Sequence, residues 1–433
     1  MSSAKRTAEH LDAAQPRAKR IHPFFTGEPR TAPLPPPGPF RWLEPLGPAR
    51  SCLHGISPHP APSAKVAAFD LDGTLIKSDY GSAGTREPGK WEWWRNRVPA
   101  RLKEVVSAGY ALVIVSNQAL KPQALKAWKA KIPLIAAALP DVPFVLFAAT
   151  AKDGYRKPML GMWNELVRMY REAGVEIDRA QSFFVGDAAG RQYTANKRDF
   201  ASTDRKWALN VGIPFFTPEE YFLKLAPHAN YTLPGFNVSS LPSDCPSIRL
   251  SRRPPAAHAP PTVPPILPTS TPLLPDPPAQ ELVVFVGYPC LGKSTFYRRH
   301  FEPAGCVKET KKVLAEGKSC VIDNTNRNVA TRRFYLDIAK EMNVPARCFY
   351  FTGSIELAWH NNLYRAYNLP PSVAAAEPKR ELVPYLGFTG FRDNFEEPEE
   401  QEGFTEIKKI NWVFDGSEEE KAYWSMWLQI DGK

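Results

Sequence analysis

The stretch Phe69-Asp70-Leu71-Asp72-Gly73-Thr74 constrains this chain more tightly than any other part of it. The apolar run Val66–Phe69 ahead of it describes a buried strand, and Gly73-Thr74 behind it a tight turn. Alternation along a strand sends Asp70 and Asp72 the same way, beyond its carboxyl end. Two carboxylates held that close are costly unless a cation or a shared proton relieves them. The pattern points to Mg²⁺-dependent phosphoryl transfer, with Asp70 as nucleophile and Asp72 as proton donor and acceptor. A solvated Asp-x-Asp turn is the bland alternative, and the strand before it and the Gly-Thr after it weigh against that.

Three further segments carry matching chemistry. Ala111–Val115 reads as a strand ending in Ser116-Asn117-Gln118, Lys157 falls at an expected helix start, and Phe184-Val185-Gly186-Asp187 is a strand ending in an acid. In open α/β sheets ligands collect outside the carboxyl ends of the strands, so these groups are expected to converge on one cleft. Asp70, Asp72 and Asp187 form the expected cation set. Ser116 and Lys157 would bind the equatorial phosphoryl oxygens, with Thr74, Asn117 and Arg191 as further phosphate or substrate contacts.

The same strand–helix alternation runs over residues 61–232, with Phe144–Ala148 as another strand and Arg156–Ala173 as an amphipathic helix. It predicts a parallel sheet covered on both faces. Residues 1–60 are rich in Pro, Ala and Arg and are expected to be a basic tail without a core. Lys5-Arg6 and Arg17-Ala18-Lys19-Arg20 are spaced like a bipartite nuclear-import signal, a generic basic tail being the alternative. Ile21, Phe24 and Phe25 have the spacing of a sliding-clamp-binding peptide, with a hydrophobic anchor onto the folded body as the other reading. Residues 233–280 are crowded with Pro, Ser and Thr and read as a linker.

From residue 281 to 433 a second α/β unit is expected. Leu282–Val286 is a strand that runs into Gly287-Tyr288-Pro289-Cys290-Leu291-Gly292-Lys293-Ser294-Thr295, a full phosphate-binding loop followed by a helix. Lys293 is expected to reach the β/γ oxygens of ATP and Ser294 to ligate Mg²⁺. Ser319–Ile322 leads into Asp323, a candidate cation-side acid, and residues 356–366 read as a lid helix carrying Arg365.

A net charge of +10 favours a polyanionic partner. Six cysteines without a CxxC pair fit free thiols in a reducing compartment. No apolar run is long enough to span a membrane, so a soluble intracellular protein is expected, and a monomer is expected besides. Trp91, Trp93 and Trp94 invite a DNA-stacking reading, against which stands the simpler one of core packing.

Residues 65–225 resemble the haloacid-dehalogenase-type phosphatase domain of the polynucleotide kinase 3′-phosphatase family, through FDLDGTLI (69–76), VSNQ (115–118), YRKPMLGMW (155–163), FFVGDAAGR (183–191) and FTPEEYF (216–222). The second half resembles the kinase domain of the same family through GYPCLGKSTF, VIDNTN and WHNNLYRA. The resemblance implies a Rossmann-like phosphatase fold followed by an adenylate-kinase-like P-loop fold. It further implies Mg²⁺ and ATP as cofactors, DNA strand-break termini as the partner, a nuclear location and Arg332 as a substrate-contacting arginine. The folded N-terminal phosphopeptide-binding module that some family members carry is not expected before residue 61.

One family feature is missing. A strand ending in an aspartate, the general base of phosphate transfer, is expected between the P-loop helix and the next one. Here Gly305 runs directly into Cys306, and no aspartate stands between Thr295 and Asp323. Loss of a general base alone costs about 10²–10⁴ in rate, so an intact phosphatase and an impaired kinase are expected; Glu302 and Glu309 are possible substitutes. The alternatives are an artefact of gene splicing, a non-catalytic adaptor that binds DNA ends and nucleotide, and a phosphatase acting on small metabolites.

Overall fold

A computed structural model of the chain describes residues 40–77, 89–238, 241, 265–308 and 311–429. The basic clusters, Ile21, Phe24, Phe25 and Glu309 lie outside the described residues.

The first sheet contains β1 (Arg41–Trp42), β2 (Cys52–Ile56), β3 (Val66–Phe69), β4 (Ala111–Asn117), β5 (Phe144–Ala149), β6 (Phe183–Val185) and β7 (Phe215–Phe216), in the order β1-β2-β5-β4-β3-β6-β7. From β5 to β7 all neighbours are parallel. Alternating residues of β3 feed two cores: Ala67 and Phe69 join one face, Val66 and Ala68 the other. Trp91, Trp93 and Trp94 lean on the first of these cores, which favours packing over stacking on DNA.

Two expectations need correction here. The sheet is mixed, because β2 runs antiparallel to β5 and β1 antiparallel to β2. The tail therefore does not reach residue 60: β1 and β2 within residues 41–56 belong to the sheet, with Cys52 and Leu53 buried and the His54 ring stacked 4.9 Å from Phe147. The short strand was masked in sequence by His54-Gly55 and by the surrounding prolines, which blur its periodicity.

The second sheet contains β8 (Ile266–Leu267), β9 (Leu282–Val286), β10 (Cys320–Ile322), β11 (Ala346–Phe351) and β12 (Glu406–Ile410), in the order β10-β9-β11-β12-β8. Only β8, which pairs with β12, is antiparallel. Val283 and Phe285 face one core, Leu282 and Val284 the other. The expected linker is thus shorter than 233–280. Phe236 and Val238 are buried in the second unit, and Arg347 and Lys408 bond to carbonyls between Pro268 and Leu273.

The sheet edge beyond β10 is where a further strand is expected. Val307 makes an isolated parallel bridge to Cys320, its N–H donating to the Ser319 carbonyl at 3.1 Å and its own carbonyl accepting from Val321 N at 2.9 Å. Among the described residues Val307 alone pairs there, and Lys308 follows it.

Candidate active site

β3 is an interior strand between β4 and β6, where the strand order reverses, and its carboxyl end opens into a cleft of about 420 Å³. Asp70, Asp72, Ser116, Lys157 and Asp187 all line that cleft. Gly73 is required at the turn: its φ is +87°, and a Cβ there would come within 2.3 Å of Asp187 Oδ2.

Lys157 is the hub. Its Nζ donates to Asp70 Oδ1 at 2.6 Å and to the Val115 carbonyl at 2.8 Å, and forms an ion pair with Asp204 Oδ1 at 2.7 Å. Burial pulls this ammonium down, yet Asp204 and Asp70 more than offset that and hold it above its ordinary value. Lys157 does not begin a helix as expected. It precedes Pro158, which disfavours helical backbone, and the helix starts only at Gly161.

Asp204 is the residue that sequence reasoning missed. It lies in the first turn of the helix Thr203–Val211, and its carboxylate lies with those of Asp70 and Asp187, ligand atoms within 4.8 Å of one another. An acid in a helix's first turn is ordinary, so no local signal marked it. Desolvation pushes Asp70 up to about 7 against the pull of Lys157, and desolvation with Asp70 beside it drives Asp187 well above the usual carboxylate range.

These three carboxylates share one ammonium, and Asp187 Oδ1 is buried without a hydrogen-bond partner among the described residues. Two negative charges are left over, and one oxygen lacks a donor. That donor set fits a hard divalent cation. Asp72 is a correction to the expected cation set: its carboxylate accepts from Gln118 Nε2 at 2.6 Å, and the clustered third acid is Asp204. Burial raises the Asp72 carboxyl, with Gln118 opposing.

Three expected substrate contacts are held elsewhere. Arg191 is buried, donates to Asp199, Glu219 and the Asp187 carbonyl, and does not line the cleft. Asn117 uses its side chain on the Lys157 backbone, accepting from N at 2.9 Å and donating to O at 3.1 Å. Thr74 is fully buried behind the turn and does not line the cleft. Ser116 remains in place, buried beside Gln118.

A second cleft of about 710 Å³ opens at the end of β9, lined by Gly292, Lys293, Ser294, Thr295, Asp323 and Arg365. Gly287 and Gly292 have φ of +149° and +83°, and a Cβ on Gly287 would crowd Phe351 at 2.9 Å. Lys293 folds back onto the Gly287 and Tyr288 carbonyls, and burial pulls it down to about 8. Arg365 Nε is buried without a partner among the described residues. Its helix, Ile355–Tyr367, is no lid: His360 and Asn362 are buried, and Asn361 bonds to Cys290 and Trp424. Arg332 is a further correction, fully buried in a two-pronged ion pair with Glu402 and so closed to substrate.

The cation expected here does not fit the residues as they stand. Asp323 Oδ2 accepts from both Ser294 Oγ and Lys308 Nζ, each at 2.6 Å. A lysine thus neutralises the acid that would otherwise pair with a metal. Among the described residues no acid directly follows the bridged Val307, Glu309 lying outside them, and Glu302 is exposed on a separate turn.

A family model described as polynucleotide kinase 3 phosphatase matches residues 65–222. The chain is 34% identical over 387 residues to a Schizosaccharomyces pombe bifunctional polynucleotide phosphatase/kinase, covering 84% of this chain and 83% of that one. It is 30% identical to a putative bifunctional polynucleotide phosphatase/kinase of Acanthamoeba polyphaga mimivirus, over 88% of this chain and 93% of the relative. An Arabidopsis thaliana polynucleotide 3′-phosphatase is 36% identical over 37% of this chain and 24% of its own length.

Proposed function

The chain belongs to the polynucleotide kinase 3′-phosphatase family, and we propose that it removes 3′-phosphates from DNA strand-break ends while its P-loop half binds ATP but transfers phosphate poorly. The observation that carries the first part is Lys157, buried between Asp70 and Asp204 at the carboxyl end of β3. One oxygen of Asp70 attacks the 3′-phosphorus as the bond to the sugar O3′ breaks, and Asp72 donates its proton to that leaving oxygen. Its raised affinity for protons suits this role. Asp72 then takes a proton from water as the water attacks the aspartyl-phosphate; the bond to Asp70 breaks and inorganic phosphate leaves.

Lys157 and Ser116 stabilise the equatorial oxygens, and Lys157 keeps Asp70 ionised at the moment of attack. Asp70 and Asp187, with Asp204 beside them, would hold Mg²⁺, which supplies neutralisation of the charge on the transferring group. The cleft is open enough for a polymer end, and the basic sequence favours a polyanion.

The second part rests on the edge of the P-loop sheet. Among the described residues a single bridged residue stands where the strand ending in the base is expected, Lys308 follows it, and Asp323 is paired with Lys308. Nuclear location remains a reading of the basic N-terminal clusters. The test is Asp70→Asn on a 3′-phosphorylated oligonucleotide: phosphate release is expected to vanish while DNA binding is retained. Continued release would remove Asp70 as the nucleophile.

A further inference from the structure

Two asparagines hold the peptide around Lys157. Asn117, on β4, grips the Lys157 backbone from the sheet side. Asn210 works from the last turn of the helix Thr203–Val211. Its Nδ2 donates to the Pro158 carbonyl at 2.9 Å and to the Trp427 carbonyl at 2.8 Å, and its Oδ1 accepts from Trp427 N at 2.8 Å. One side chain therefore ties the Lys157 loop to the last described stretch of the P-loop half.

Other contacts converge on the same stretch. Met159, two residues after Lys157, is fully buried against Leu363 of the P-loop unit and Leu428. Lys206, fully buried on the Asp204 helix, donates to the Gln429 carbonyl at 3.2 Å. Gly154 lies so near the P-loop unit that a Cβ on it would be 3.2 Å from the Tyr367 carbonyl, and one on Gly235 would meet Gln429 Cβ at 2.4 Å. The loop that delivers Lys157 and the helix that delivers Asp204 are thus both anchored on residues 426–429.

From this geometry we infer that residues 426–429 are a built-in brace of the phosphatase site, with Asn210 as the positioning residue that transmits it. The P-loop half then serves 3′-phosphate hydrolysis whether or not it transfers phosphate itself. A displaced Lys157 loop changes the geometry of attack more than the affinity for the DNA strand, and misplacement by about 1 Å costs on the order of 10² in rate.

The inference rests on the reading of Lys157 as a catalytic group, so Lys157→Met, Asn210→Ala and Leu428→Ala are compared in the full chain. Each is assayed on a 3′-phosphorylated oligonucleotide for kcat and KM separately, well below its own melting temperature. Asn210→Ala is expected to lower kcat by about tenfold or more with KM changed less than about twofold. Asn210→Asp, which keeps the acceptor for Trp427 N but loses both donors, is expected to be as slow. Leu428→Ala, which removes the packing under Met159, is expected to move kcat in the same direction and decides the matter if Asn210→Ala fails to fold. Wild-type kcat in folded Asn210 and Leu428 variants, with Lys157→Met inactive, overturns the brace. Full activity in Lys157→Met overturns the reading of Lys157 on which it rests.

Discussion

Lys157 and Asp204 form a buried ion pair with Nζ 2.7 Å from Oδ1, and neither side chain reaches solvent appreciably. The pair holds the lysine against Asp70, which its Nζ meets at 2.6 Å. It also places a third carboxylate beside Asp70 and Asp187, which a purely local reading of the strand-end motifs does not supply.

Asp204→Asn is expected to leave Lys157 with Asp70 as its only acidic partner and to loosen the aspartate set. The expected loss is on the order of 10² in kcat for 3′-phosphate release, as for a misplaced reacting group. A Mg²⁺ titration of the variant, read by the metal concentration giving half-maximal rate, is expected to shift to higher metal.

Arg332 is predicted by family pattern to touch substrate, and the structure commits it to Glu402 instead. Arg332→Met is expected to leave Glu402 as an uncompensated buried charge and destabilise the P-loop half by about 3–5 kcal/mol. Urea unfolding measures this. Arg332→Met with Glu402→Leu is expected to recover much of the loss, whereas a substrate-binding arginine would show no such rescue.

His360 is buried against Phe236 and Trp424, and burial pulls its imidazole down to about 4 while the Trp424 carbonyl opposes the shift. Below its ordinary value of 6.5 the unfolded chain takes up a proton that the folded chain refuses. The penalty is therefore absent above pH 6.5, grows as pH falls, and levels off near pH 4 at roughly 3 kcal/mol. Stability curves of the wild type and His360→Gln between pH 7 and pH 4 are expected to converge in slope only above about pH 6.5.

Phe200 stands at the rim of the phosphatase cleft with 67% of its surface exposed. An aromatic face there suits a terminal nucleobase, a contact worth about 1–3 kcal/mol per base. Phe200→Ala is expected to raise KM for a 3′-phosphorylated oligonucleotide about tenfold or more. Turnover of a small aryl phosphate, which has no base to stack, is expected to be unchanged.

The strand-end chemistry was legible because it is local. Asp70, Ser116 and Asp187 each follow an apolar run that can only be a central strand, and the P-loop glycines carry their own backbone requirement. Asp204 and Asn210 were not legible, since an acid in a first turn and an amide in a last turn are commonplace until the fold brings Lys157 and Trp427 to them. Arg191 and Arg332 were misread for a related reason. A cation that grips buried carboxylates and one that grips a phosphate look alike in one dimension, and Asp199, Glu219 and Glu402 lie far along the chain or on other elements. The early strand β2 was hidden by composition, its pairing with β5 being a tertiary fact.

The division of labour between the two halves is tested most directly on one nicked duplex that carries a 3′-phosphate and a 5′-hydroxyl, with Mg²⁺ and ATP present and each end scored separately. The expected result is loss of the 3′-phosphate with the 5′-hydroxyl left almost unphosphorylated. Transfer to the 5′ end at a rate matching 3′ release would contradict it, and so would a 3′-phosphate that survives.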